Sequence, residues 1–258
     1  MMNESERAPG HIVAVTGGTR GIGASVVRRV ARTGVSVVAL YRSDDAAAEA
    51  LRAEVEAEGG RLVTIRADVS EESDIVAAFG RIAELGTLVG LVNSAGIDGG
   101  KMRVEDFDAD ALNATFRTNV VGLMLCCREA VGLMGRPTGQ GGAIVNVSSM
   151  AATIGGRGQL SHYAASKAAV DTFTVGAAKE LAARGVRMFS LRPGATVTDM
   201  TAGMRSDPAR LVAVERTIAV GRLATADDIA APIVRLLDED MAYLSGARID
   251  AAGGGLVF

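Results

Sequence analysis

Short runs of consecutive apolar, β-branched residues alternate along the chain with longer segments whose apolar positions recur every three or four residues. "HIVAVT" (11–16) precedes "ASVVRRVARTG", "VSVVALY" (35–41) precedes "AAAEALRAEVEAEG", and "RLVTIRADV" (61–69) precedes "ESDIVAAFGRIAELG". The alternation continues through "LVGLVN" (88–93), a long helical stretch over about 104–134, "GAIVNVSS" (142–149) and a helix over about 161–184. It closes with "GVRMFSLRPG" (185–194), "ADDIAAPIVRLLDED" (226–240) and "GARIDAAGG" (246–254). Strands that are apolar throughout and bounded by glycine are buried on both faces, and a helix after each one indicates a parallel sheet. The pattern predicts an α/β fold, a doubly wound Rossmann-type sandwich with a seven-stranded parallel sheet and helices on both faces. No linker-like shift in composition interrupts it, so residues 1–258 read as a single domain. The longest part without a strand, 198–225, reads as a lid over a substrate.

Composition narrows the function. Apolar residues make up 48% and aromatic ones 3%, so Ala, Val, Leu, Ile and Met build the core. The 27 Lys plus Arg against 30 Asp plus Glu give a net charge of −3 with no basic block, which argues against nucleic acid as a partner. The adjacent Cys126 and Cys127 lie in an apolar run and read as small buried hydrophobes, and with two distant histidines no metal site is expected. Residues 1–10 are polar, lack the apolar core of a signal peptide and are expected to fray. No run is long enough to span a bilayer, and the expected location is cytoplasmic.

Three features carry chemistry. The first strand runs into "TGGTRGIG" (16–23), where glycines permit a tight turn and close approach of backbone N–H groups to a pyrophosphate, although the literal G-x-G-x-x-G pattern is absent. The second strand ends in Tyr41, Arg42 and Ser43 where a ribose-binding carboxylate is usual in an NAD site. A guanidinium and a hydroxyl suit a 2′-phosphate, with Arg20 as reinforcement, so NADP(H) is the preferred cofactor and NAD(H) the alternative. Asp44 and Asp45 nearby keep open the reading of Arg42 as a solvated strand-end charge. Tyr163 and Lys167, four apart, share one helix face about 6 Å apart along the axis.

These motifs, with "ADV" (67–69), "NSAG" (93–96), "TNVVG" (118–122), "IVNVSS" (144–149), "YAASK" (163–167) and "RPGATVTDM" (192–200), resemble in order and spacing the short-chain dehydrogenase/reductase family over nearly the whole chain. The resemblance implies an enzyme that moves a hydride between a nicotinamide and a carbonyl or secondary alcohol, of the 3-oxoacyl-thioester or ketone reductase type. It implies Tyr163 as general acid/base, Lys167 as the charge that favours its anion and as a ligand of the nicotinamide ribose, and Ser149 as hydrogen-bond donor to the substrate oxygen. Asn119 would hold a water linking Lys167 to solvent. Ser148 and Ser149 face opposite sides of a strand, and the family pattern selects Ser149. The family usually has a second Asn where this chain has Ser94, a slot read as structural.

The same resemblance assigns cofactor contacts to Gly17, Thr19, Arg20, Gly21, Ile22, Arg42 and Ser43, to Asp68 and Val69 at the adenine, and to Asn93, Ala95 and Gly96 at the ribose. Pro193, Gly194, Thr196 and Thr198 would meet the nicotinamide half. Met150, Leu160, Met200 and Met204 are candidate substrate walls, and methionine-lined surfaces suit a moderately hydrophobic ketone better than a polyol. His162 receives no role. The alternatives are a glucose-type sugar dehydrogenase of the same family and a non-catalytic nucleotide sensor on the same fold. The family tendency implies a homotetramer of D2 symmetry or a homodimer.

Overall fold

A computed structural model describes residues 10–134 and 141–255. The seven strands are β1 (His11–Thr16), β2 (Ser36–Tyr41), β3 (Leu62–Arg66), β4 (Thr87–Asn93), β5 (Gly142–Val147), β6 (Val186–Pro193) and β7 (Arg248–Ala251). They form one parallel sheet in the order β3-β2-β1-β4-β5-β6-β7, as expected.

The two-residue period of the strands sends alternate side chains to opposite faces, and each face closes under helices. Val13, Val15, Val37, Ala39 and Val145 pack with α1 (Gly21–Ala31), α2 (Asp45–Ala57) and α10 (Ala226–Leu236) through Val27, Leu51 and Ile233. Ile12, Ala14, Val38, Leu40 and Ile144 pack with α3 (Glu72–Leu85), α5 (Leu123–Met134) and α7 (Ser161–Leu181) through Phe79, Ala130 and Val170. Cys126 and Cys127 are free thiols in this second layer.

Two expectations change. The helical stretch over 104–134 is a short turn, α4 (Ala109–Phe116), a π-helical turn (Arg117–Gly122) and α5 in succession. The wider turn accommodates Gly122, where a Cβ would lie 2.0 Å from the Val69 carbonyl oxygen, so the loop after β3 rests directly on the helix backbone. The lid segment is also helical, with α8 (Ala202–Arg205) and α9 (Pro208–Glu215), the latter capped by the Asp207 carboxylate accepting from Ala209 and Arg210 N–H. α6 (Ala151–Ile154) is a single turn after β5. The expected fraying of 1–10 falls, Gly10 apart, outside the described residues. Among them, no helix is long and apolar enough to cross a membrane.

Candidate active site

The strand order reverses between β1 and β4, and a crevice opens there beyond the strands' carboxyl ends. The Thr16 hydroxyl at the tip of β1 accepts from the N–H groups of Ser94 and Ala95, 3.1 and 3.2 Å away, which ties the two diverging loops together. The cleft measures about 790 Å³, within the usual range for small-molecule sites.

The glycine loop forms one wall. Gly17 has φ +61°, and a Cβ there would lie 2.9 Å from the Ala95 Cα; one on Gly23 would lie 2.2 Å from the Gly17 carbonyl oxygen. Neither position admits a side chain, so the loop packs tightly on itself and on the loop after β4 at the start of α1. Gly17, Thr19, Arg20, Gly21 and Ile22 all line it, as do Arg42, Ser43, Asp68 and Val69. Arg20 is held between two carboxylates, 3.7 Å from Asp44 and 3.6 Å from Asp199, so its charge is already partly satisfied. Arg42 has no carboxylate partner among the described residues and is the freer cation of the two.

At the other end, β5 delivers the two serines. Ser148 is buried with its hydroxyl donating to the Lys167 carbonyl at 3.0 Å, whereas the Ser149 hydroxyl accepts from Ala151 N–H and sits within hydrogen-bonding range of the Tyr163 phenol. Strand alternation thus separates them as expected, with Ser149 on the phenol side. Lys167 is 5% exposed, donates to the Val147 carbonyl at 2.8 Å and lies 5.8 Å from the centre of the Tyr163 ring. Burial lowers the ammonium to about 8 against the opposing pull of the Asp171 carboxylate. Burial also pushes the Tyr163 phenol up, the Ser149 hydroxyl works the other way, and Asp98 adds to the rise. The phenol therefore holds its proton at neutral pH.

Asn119 sits in the π-helical turn, fully buried. Its amide donates to the Ile97 carbonyl (2.8 Å) and the Ser166 hydroxyl (3.0 Å), and its oxygen accepts from Ile97 N–H (2.9 Å). Both amide hydrogens are spent, so the side chain acts as a clamp between the loop after β4 and α7. Gly96 lies over this clamp: a Cβ there would fall 3.2 Å from the Asn119 oxygen and 3.4 Å from Lys167 Nζ.

Asn93 corrects the sequence reading. Its side chain faces the core, donating to Asn146 at 2.9 Å, and it is absent from the cleft wall, where Ser94, Ala95 and Gly96 stand instead. As the last residue of β4, Asn93 points inward and its successor outward, which reverses the roles expected of the pair. Pro193, Gly194, Thr196 and Thr198 line the cleft, as do Met150, Leu160, Met200 and Met204. Ile154, Val214 and Ile218 add apolar wall that sequence reasoning missed, as it missed Lys101, Arg157 and Arg210. On α9 the four-residue spacing of Arg210 and Val214 was the available signal. His162 is buried, its Nε2 3.0 Å from the Asp98 carbonyl oxygen and its ring edge-on to Phe107. It pins the loop that carries Asp98.

A doubly wound sheet, a glycine-rich loop at the switch-point crevice and a serine–tyrosine–lysine group in the same cleft together define a nucleotide-dependent oxidoreductase. Comparison with known proteins specifies the family. Residues 11–209 match the family model for short chain dehydrogenases, and the chain belongs to the short-chain dehydrogenase/reductase family. It is 41% identical over 245 residues to the uncharacterized oxidoreductase YgfF of Escherichia coli K12, covering 94% of this chain and 99% of that one. It is 32% identical to a 3-oxoacyl-[acyl-carrier-protein] reductase of Synechocystis, over 96% of this chain and 97% of that one. A short chain dehydrogenase of Burkholderia cenocepacia solved in complex with NADP superposes with TM-score 0.85 at 33% identity, covering 94% and 96% of the two chains. The protein is thus an oxidoreductase of CH–OH and carbonyl groups in a family that binds NAD(P). The residues present fit that cofactor: Gly17, Gly21 and Ile22 bring the glycine-rich loop and the N-terminus of α1 to the cleft wall, where a diphosphate can approach backbone N–H groups, and one cleft is lined from Arg42 to Lys167.

Proposed function

We propose that the protein is an NADP(H)-dependent reductase of ketones or 3-oxoacyl thioesters, with Tyr163 as general acid. The observation that carries this reading is the convergence of Ser149, Tyr163 and Lys167 on one apolar-walled end of the cleft. When bound, the nicotinamide cofactor supplies the hydride to the carbonyl carbon. Ser149 donates a hydrogen bond to the carbonyl oxygen, polarising it and fixing its position, and the Tyr163 hydroxyl delivers the proton to that oxygen. Burial keeps the proton on the phenol before reaction but makes it harder to release, and the Lys167 ammonium 5.8 Å from the ring centre is the positive charge that favours the phenolate left behind. Asn119 holds the Ile97 backbone against Ser166 of α7, and Lys167 would bond the nicotinamide ribose.

Arg42, without a carboxylate partner at the tip of β2, supports a preference for NADP(H) through its fit to a 2′-phosphate. A screen of ketones, β-ketoacyl thioesters, quinones and aldoses with both cofactors tests the reading. NADPH consumption with ketones or thioesters supports it, comparable kcat/KM with NADH removes the NADP preference, and turnover confined to aldoses favours the sugar-dehydrogenase alternative. That alternative has a relative in its favour, an L-rhamnose 1-dehydrogenase of Sphingomonas at 33% identity, but the wall of Met150, Leu160, Met204 and Ile218 suits an apolar chain better than a polyol. Assembly as a tetramer or dimer through α5 and α7 accords with the half-exposed Val121 beside them, and sedimentation as a monomer at micromolar concentration overturns it.

A further inference from the structure

Arginines on the described surface are mostly tied to carboxylates: Arg28 to Glu54, Arg29 to Asp227, Arg128 to Glu72 and Arg222 to Asp228. Lys101, Arg157 and Arg210 line the cleft and depart from this habit. None has a carboxylate partner among the described residues.

The three come from separate parts of the chain and converge. Met102 N–H donates to the Gln159 carbonyl at 3.0 Å, fastening the loop that carries Lys101 to the loop that carries Arg157. Arg157 Nη1 donates to the Thr217 hydroxyl at 3.3 Å, so the guanidinium reaches across to the end of α9. Arg210 and Val214 are one turn apart on α9 and both line the cleft, as does Thr217 in the turn that follows α9, where Arg157 makes its contact.

The loop that presents Arg157 turns on Gly155, Gly156 and Gly158, whose φ of +78°, +83° and +60° glycine adopts without strain. Gln159, at φ +71°, is the one non-glycine residue with positive φ among those described, a conformation that is costly for a side-chain-bearing residue and clusters at ligand sites. Two opposing charges lie nearby: Asp98, whose carboxylate accepts from Gly100 N–H, and Asp207, whose carboxylate is engaged in capping α9 through the N–H groups of Ala209 and Arg210; Asp199 faces Arg20 instead. The same cleft is lined by Tyr163 and by the apolar side chains of Leu160, Met204 and Ile218.

We propose that the substrate carries, beyond its reacting carbonyl, an anionic group, carboxylate or phosphate, which seats among Lys101, Arg157 and Arg210 with an apolar stretch between the two ends. This rests on the reading of the cleft as a carbonyl-reductase site. The guanidinium forks of Arg157 and Arg210 match either anion bidentately, and Lys101 adds a point charge.

The test is steady-state kinetics with methyl-ketone carboxylates of increasing chain length, their methyl esters and the matching phosphate monoesters. Wild-type protein is compared with Arg157→Gln, Arg210→Gln and the double variant, each first shown by circular dichroism to be folded. The expected result is a kcat/KM for one anionic series at least tenfold above the neutral esters, an excess that falls with added salt. In the double variant that ratio drops toward one, through KM for the acids. Preference for the carboxylates over the phosphates, or the reverse, identifies the anion. Equal kcat/KM for acids and esters in the wild type, or a ratio untouched in the double variant, overturns the inference and leaves the reductase reading standing. Failure of every carbonyl to be turned over overturns both.

Discussion

Lys167→Met should stabilise the protein while abolishing its activity. In the folded chain the ammonium is 5% exposed and lowered from 10.5 to about 8, with burial as the leading cause. At about 1.4 kcal/mol for each pH unit, keeping it charged costs folding about 3 kcal/mol at neutral pH. Met retains the length of the apolar stem but loses the 2.8 Å bond to the Val147 carbonyl, which costs about 1–2 kcal/mol. The balance is about 1–2 kcal/mol in favour of the variant, or a rise in Tm of about 2–6 °C. The pH dependence gives the sharper check. Between about 8 and 10.5 the unfolded chain binds a proton that the folded chain has released, so wild-type stability gains from this group as pH rises. The advantage of Lys167→Met should be largest below about pH 8 and shrink through that window. Thermal melts of both proteins without added cofactor, from about pH 7 to about pH 10, read this directly. A variant no more stable than wild type at neutral pH, or a gap that does not narrow on alkalinisation, refutes the reasoning.

Gly23→Ala places a Cβ 2.2 Å from the Gly17 carbonyl oxygen and must displace the glycine loop, so calorimetry should find cofactor affinity at least tenfold weaker and stability lower by about 1–3 kcal/mol. Gly80→Ala on α3, with open space around the new methyl, should stabilise by up to about 1 kcal/mol in the same melts. Asn146→Ala leaves Asn93 and Thr174 without their buried partner at the β5–α7 junction and should cost about 2–4 kcal/mol in urea unfolding. Burial pushes the Cys126 thiol up to about 12 and the Cys127 thiol higher still, so a thiol-disulfide reagent at about pH 8 should label neither until the protein is denatured; prompt labelling of the native protein contradicts the burial.

The parallel sheet was legible because its strands are apolar on both faces, a property that survives without knowledge of neighbours. Ser149 was legible only through the family resemblance: alternation separates two adjacent serines but does not say which one meets the Tyr163 phenol. The π-helical turn at Arg117–Gly122 was not, because its apolar spacing continues that of α4 and α5 and its cause is the Val69 backbone, distant in sequence. Asn93 and Ser94 exchanged roles because the direction of the final β4 side chain depends on where the strand ends. The pairing of Arg20 with Asp44 and Asp199, and the gathering of Lys101, Arg157 and Arg210, are products of tertiary contact. Local pattern carries no trace of them.

The central claim is that the Tyr163 hydroxyl delivers the proton to the substrate oxygen. Tyr163→Phe removes that one atom and keeps the ring beside Lys167. On the best carbonyl substrate, kcat for NADPH oxidation should fall by about 10²–10⁴-fold, with the dissociation constant of NADPH, measured by calorimetry, changed less than about threefold. A variant that retains wild-type kcat contradicts the account.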